Sequence, residues 1–242
     1  TGDKEWLRKV AYPLLHDTVE FYRHYAKKGE DGRYHIYPTN VHEYFWGVRD
    51  GIMDLAAIRG NVPLAIRAAE ILDVDEDLRA AWREFLDNLA PYPMGSDPGS
   101  KALPEGVLAD DAWAAGHYAD VKGGHNGEQV WMTPVFQFEH YTLETQDDEL
   151  RRVAERTYDA LPRRTRFLKG VERGHWLRIP ILAARMGRPN EIPTMLATSV
   201  SAAPYPNGYS LCGKPHSESM QPFGRTAAAL QDALMQSLSP KP

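Results

Sequence analysis

The chain has 242 residues and a net charge of −5 at neutral pH, from 28 basic and 33 acidic side chains. Hydrophobic residues at 43% and charged residues at 25% fit an ordinary packed chain, long enough for one large domain or two small ones. The acidic balance, with no basic run beyond Arg163-Arg164-Thr165-Arg166, argues against nucleic acid as a partner; no apolar run reaches the ~18 residues of a membrane span; and the lone Cys212 excludes an internal disulfide and a thiolate metal cluster.

The sequence starts at Thr1 rather than Met and runs straight into a helical pattern, so we expect a piece of a longer protein and leave its compartment open. Trp6, Val10, Leu14, Val19, Phe21, Tyr22 and Tyr25 recur near the helical period, which predicts one helix over residues 3–28, kinked at Pro13 and closed by the turn Gly29-Glu-Asp-Gly32. Trp6 and Trp82 are expected in the core. Residues 33–38 read as extended, up to Pro38.

The stretch Tyr34 to Asp50 is the densest in chemistry. It carries Glu43, Arg49, Asp50, His35, His42 and Asn40 among Tyr34, Tyr37, Tyr44, Phe45 and Trp46. Sugar rings stack their C–H faces on aromatics and exchange hydroxyl hydrogen bonds with carboxylates and amides, so this mixture points to a carbohydrate cleft on a loop. The plain alternative is a helix–helix junction whose rings fill a core. Helical spacing resumes at Ile52, Met53, Leu55, Ala56 and Ile58, with a break or kink expected at Gly60-Asn61 and Pro63, and runs to Leu72. Asp73-Val-Asp75 is expected to cap a helix over about 75–89 with Leu78, Trp82, Phe85, Leu86 and Leu89 inward.

Residues 90–135 form a long Gly/Pro/Asp/Ser stretch with Trp113, His117, Tyr118, His125 and Trp131, read as an ordered loop over one face. Further helices are expected over 134–146, over 147–161 opened by acids, from about Glu172 to Met186, from Arg188-Pro189 to about Thr198, and from Phe223 to Leu238. Strand signals are sparse. Seven to nine helices in antiparallel hairpins, with long loops gathered at one end, give an all-α, (α/α)6 toroid-type architecture in a single domain over residues 1–242. His-x-x-x-His and His-Glu-x-x-His are absent, as are Gly-x-Ser-x-Gly and phosphate-cradling loops, so neither a metal nor a cofactor is expected.

The order Pro38-Thr-Asn-Val-His-Glu43, Ile52-Met-Asp54, Ala68-Ala-Glu-Ile-Leu-Asp-Val-Asp75 and Leu89-Ala-Pro-Tyr92 resembles that of the (α/α)6 six-hairpin glycoside hydrolases typified by the family 95 α-L-fucosidases. Gly174-His-Trp-Leu-Arg178 through Ala183-Ala-Arg-Met-Gly187 resembles the Trp-bearing penultimate hairpin of that family, and Phe223 to Ser237 its closing barrel helix. The resemblance implies an inverting glycoside hydrolase, fucosidase-like, acting on an oligo- or polysaccharide. It places the general acid at Glu43, five residues past the Pro-Thr element. The position of the catalytic base, three residues before Phe223-Gly224, holds Met220, which cannot take a proton from water; Glu218 is the nearest carboxylate, with Asp50 as a rival. The family's asparagine-bearing upstream helix and its following β-sandwich have no counterpart here, so the resemblance implies the later part of a barrel whose remainder is the expected partner.

Asn40, His42, Trp46, Arg49, Asp50, His125, Trp131, His140, His175, Trp176 and Gln221 are the expected sugar contacts. Two other readings stay open. One is a toroid polysaccharide lyase using His42, Tyr44, Arg49 and His140; the other is a carbohydrate-binding barrel fragment without turnover.

Overall fold

A computed structural model describes residues 2–42, 45–100, 109–117, 130–171, 178–201, 210–211, 218–219 and 221–236. The architecture is all-α in class, with three short two-stranded antiparallel ladders among the described residues.

The first helical rod has three parts: α1 (Lys4–Trp6), a π-helical turn (Leu7–Ala11) and α2 (Tyr12–Tyr25). Asp3 caps it by accepting from the Glu5 and Trp6 amides. Pro13 falls in the first turn of α2, where its missing N–H costs little, and the irregularity sits upstream in the π turn. Trp6 is not a core residue: it is 54% exposed, because the face it shares with Val10, Leu14 and Phe21 points outward while Tyr12 and Val19 point in.

Strands β1 (Lys27–Lys28) and β2 (Tyr34–His35) pair antiparallel, and β2 is tied to the segment Asn88 to Ala90 by Tyr34 N–H to Asn88 O and Ala90 N–H to Tyr34 O. Strands β3 (Thr39–Val41) and β4 (Phe45–Val48) form a second hairpin. The stretch read as a loop after an extended 33–38 therefore contains short strands, which suits its β-branched and aromatic residues.

Helix α3 (Ile52–Leu72) runs unbroken through Gly60 and Pro63. The expected break is overridden by burial: Ile58, Val62, Ala65 and Ala69 are all sealed, and packing outweighs local propensity there. Asp73 closes α3 in the left-handed conformation. Asp75 precedes α4 (Glu76–Asp87), but its side chain makes no cap bond. Helices α2, α3 and α4 enclose a cluster of Tyr12, Val19, Leu55, Ile58, Val62, Ala65, Ala69, Trp82, Phe85 and Leu89.

A second cluster is gathered from farther apart. A 3-10 turn (Val130–Met132) leads into α5 (Thr133–Phe136), which is shorter than the helix expected over 134–146. Helix α6 (Asp148–Asp159) opens on Asp147, whose carboxylate accepts from the Leu150 amide, and buries Val153, Ala154, Thr157 and Tyr158. Then come α7 (Pro162–Leu168), α8 (Ile179–Arg185), α9 (Ile192–Ser201), the β5–β6 ladder (Ser210–Leu211 with Glu218–Ser219) and α10 (Gln221–Leu234). Helix α8 is apolar on every side because it lies among α5, α9 and α10. Arg185 ties it to α10 through Asp232 at 2.8 Å, and Gln236 donates to Ala184 O at 2.9 Å. Tyr92 packs against both clusters, and α3 feeds both, with Ile52 in the second and Leu55 onward in the first.

Candidate functional site

The β3–β4 hairpin projects the chemistry of residues 34–50. Val41, Phe45 and Val48 face inward and are buried; Asn40 and Trp46 face out, with Trp46 60% exposed. Asn40 Oδ1 accepts from the Gly47 amide at 3.3 Å, so the amide that the sequence assigns to sugar also braces the turn. Gly47 takes φ 67°, a conformation that suits glycine. His42 stands at φ 54° at the end of β3, and its Nδ1 is buried with no hydrogen-bond partner among the described residues. Glu43 and Tyr44, which join the two strands, lie outside the described residues.

Asp50 closes the hairpin from below. It is 2% exposed and sits at φ 56°. Its backbone N–H donates to Ile36 O at 2.9 Å, and its Oδ1 accepts from the Ile36 amide at 3.0 Å. Oδ2 lies 2.6 Å from His35 Nδ1, 3.4 Å from Arg49 Nε and 4.0 Å from His117 Nδ1. The expectation that Asp50 contacts sugar is corrected here: the carboxylate is sunk into the fold and its lone pairs are taken by the protein. The N-cap position of α3 is held by Gly51, next along the chain. Around it, His35 Nε2 reaches Asp31 at 3.2 Å and His117 Nε2 reaches Asp97 at 3.1 Å. The Arg33 amide and then His35 hold the Asp31 carboxyl below its usual range. Arg49 and His117 exchange backbone hydrogen bonds of 2.9 Å each way, so the segment around Trp113 to His117 runs alongside the hairpin's base. Arg49 remains partly open to solvent beside Asp50.

One turn further along α3, Asp54 makes a second buried anchor. Its Oδ1 accepts from Tyr22 at 2.9 Å and its Oδ2 from the Thr39 hydroxyl. Burial raises the Asp54 carboxyl above its ordinary value, although both hydroxyl bonds favour the charged form. Burial and the facing carboxylate push the Tyr22 phenol up.

The remaining expected contacts separate. Trp131 is a core residue, packed in the second cluster and 6% exposed, which corrects its assignment to a cleft-closing loop; its indole Nε1 is buried without a partner. His140 is half-buried under Tyr92, whose hydroxyl bonds His140 Nδ1, while Arg59 lies 4.6 Å from the Tyr92 ring centre and is itself lowered in pKa by burial. His125, His175 and Trp176 lie outside the described residues, as do Cys212 and Met220. Glu218 and Gln221 are described in backbone only: Glu218 pairs with Leu211 in the β5–β6 ladder, and Gln221 opens α10. Sequence reasoning gave no site role to His35, His117, Asp54 or Thr39. Nothing in their spacing marks them, since each acts through a partner brought in by the fold. Among the described residues no group of three or more His, Cys, Asp or Glu side chains is arranged to hold a metal ion, and no helix is long and apolar enough to cross a membrane.

The same hairpin falls within a recognisable family segment. Residues 1–105 match the model described as the glycosyl hydrolase family 95 catalytic domain. That similarity extends over less than half of the chain. The match covers the first cluster, the hairpin and the Asp50 and Asp54 anchors, and it ends before the second cluster's helices. No curated protein matches the chain.

Proposed function

We propose that the chain forms part of an inverting, fucosidase-like glycosidase in which Glu43 protonates the leaving-group oxygen. The observation that carries this reading is the β3–β4 hairpin: within the stretch similar to family 95, Thr39–Val41 and Phe45–Val48 pair over buried carboxylates, Trp46 is exposed on β4, and Glu43 falls in sequence between the two strands. A general acid needs a carboxyl held protonated near neutral pH, and an aromatic neighbour both desolvates it and offers a stacking face for the sugar. Inversion needs a second group that activates water across the ring, with the carboxyls ~6.5–9.5 Å apart. Glu218, just ahead of α10, is the residue we assign to it. Closure of the helical hairpins into an (α/α)6 toroid, with another segment or chain supplying the missing helices, belongs to the same proposal.

The test is turnover of aryl α-L-fucosides, with the first-formed anomer followed by NMR. Glu43→Gln should lower kcat by about a hundredfold or more while sugar binding by calorimetry persists. Full activity in Glu43→Gln would end the acid assignment. One observation favours a second reading, a carbohydrate-binding barrel without turnover: Met220 stands where the family's base is expected. Binding with no hydrolysis by the unaltered chain would decide for it, and a product with a new ultraviolet-absorbing double bond would decide for a lyase.

A further inference from the structure

We propose that Asp54 is a positioning residue that holds the β3–β4 hairpin, and with it the turn bearing Glu43, in register against α2 and α3. This rests on the reading of Glu43 as the acid. A two-stranded hairpin is marginal by itself in water, and this one has strands of three and four residues with an irregular register between Thr39 and Val41. It must be fastened to something rigid. Its β4 end is fastened twice, through Asp50 to Ile36 and through Arg49 to His117. Its β3 end is held by side chains: the Tyr25 hydroxyl on Pro38 O, and the Thr39 hydroxyl on Asp54.

Asp54 is suited to this. It lies in the first turn of the 21-residue α3, and its other oxygen is fixed by Tyr22 of α2, so one carboxylate joins three elements. The approach is close. A Cβ on Gly51 would come within 2.9 Å of Val41 Cγ2, 3.1 Å of Thr39 Cγ2 and 3.3 Å of Asp54 Oδ2. Glycine at this point lets the start of α3 reach β3, which then leads directly to His42 and Glu43. Slippage of about 1 Å in a reacting group costs about a hundredfold in rate, so the fastening bears on catalysis as well as on folding. The rival role for Asp54 is a charge favourable to the N-terminus of α3. Thr39→Val separates the two, because it removes the hairpin's hydrogen bond and leaves the carboxylate in place.

The experiment is hydrogen exchange and aryl-glycoside kinetics on the whole chain carrying Thr39→Val, Thr39→Ser or Asp54→Asn. In Thr39→Val we expect amides of Val41 and Phe45 to Val48 to exchange about tenfold faster, those of α4 to be unchanged, and kcat to fall about ten- to a hundredfold with KM within about twofold. Thr39→Ser should restore both, and Asp54→Asn should exceed Thr39→Val in both. Unchanged hairpin exchange in Thr39→Val overturns the proposal, as does faster exchange with kcat intact. If the unaltered chain hydrolyses no glycoside, the Glu43 reading fails and the catalytic role of the anchor falls with it; exchange alone then decides whether Asp54 holds the hairpin.

Discussion

The two hydrophobic clusters are built in different ways. The first takes every buried member from one stretch, Tyr12 to Ala90, folded as three consecutive helices and the strand that returns to them. The second draws on Val41 and Phe45 of the hairpin, Trp113 and Ala115 of the long connection, and buried residues of α6, α8 and α9 as far as Met195. The first is local and the family model covers it; the second gathers residues spread from Val41 to Met195. Loop-closure entropy weighs on the second, so its members must be held by specific polar ties as well as apolar area. Arg164 on Glu191, Arg185 on Asp232 and the Thr157 hydroxyl accepting from the Trp113 amide supply such ties.

Four measurements test that contrast. The largest effect is expected in the local cluster. Trp82 is fully buried and donates its indole N–H to Glu20 at 2.7 Å, so Trp82→Ala should cost about 4 kcal/mol in denaturant unfolding. A loss below about 1 kcal/mol would mean the cluster collapses around the gap and is looser than its burial implies. At the seam between the hairpin and the long connection, a Cβ on Gly116 would meet Val48 Cγ1 at 2.2 Å and Arg49 O at 3.2 Å. Gly116→Ala should therefore cost about 3 kcal/mol and loosen the hairpin base, read by exchange of the Arg49 amide.

Next comes acid. Hydrogen bonds from Arg23, resisted by burial and aided by Trp82, lower the Glu20 carboxyl from 4.5 to about 2. A depressed carboxyl stabilises the fold at pH values above its unfolded range, and that stabilisation fades as pH falls through about 4.5 toward about 2. Glu20 is well shielded, so the contribution is about 2 kcal/mol, and Glu20→Gln should remove that part of the acid dependence between those limits. An unaltered acid profile in the variant would show that other carboxylates carry it. The smallest effect is expected in the second cluster: Tyr158→Phe removes the hydroxyl that donates to Glu191 at 2.8 Å but leaves Arg164 on that carboxylate, so about 1 kcal/mol is lost. A loss near that of Trp82→Ala would show that the polar ties dominate this cluster.

The contrast also explains what could be seen in advance. Amphipathic periodicity located α2, α3, α4 and α6, because each exposes one face and buries the other. At Pro63 the sequence left open two helices or one kinked helix; Val62 and Ala65 beside the proline are buried, and a single helix continues. At the candidate site the motif Pro38 to Glu43 is visible as residues, whereas the strand Thr39–Val41 within it was hidden behind the expectation of a loop. Trp131 misled in the other direction, since an aromatic in a Gly-rich stretch looks like a cleft residue until the second cluster closes over it.

By itself the sequence determined the helical class and the amphipathic helices of the first cluster, and it marked residues 34–50 as the candidate stretch, because these depend on neighbours three or four residues apart and on short motifs. The tertiary structure alone decided which carboxylates face inward. Asp50 and Asp54 differ from exposed acids only through what arrives from elsewhere: His35 and Ile36 from one strand, Thr39 from another, Tyr22 from a helix packed alongside. A carboxylate's role is set by its solvation and its hydrogen-bond donors, and neither is a property of the residue or of its place in the chain.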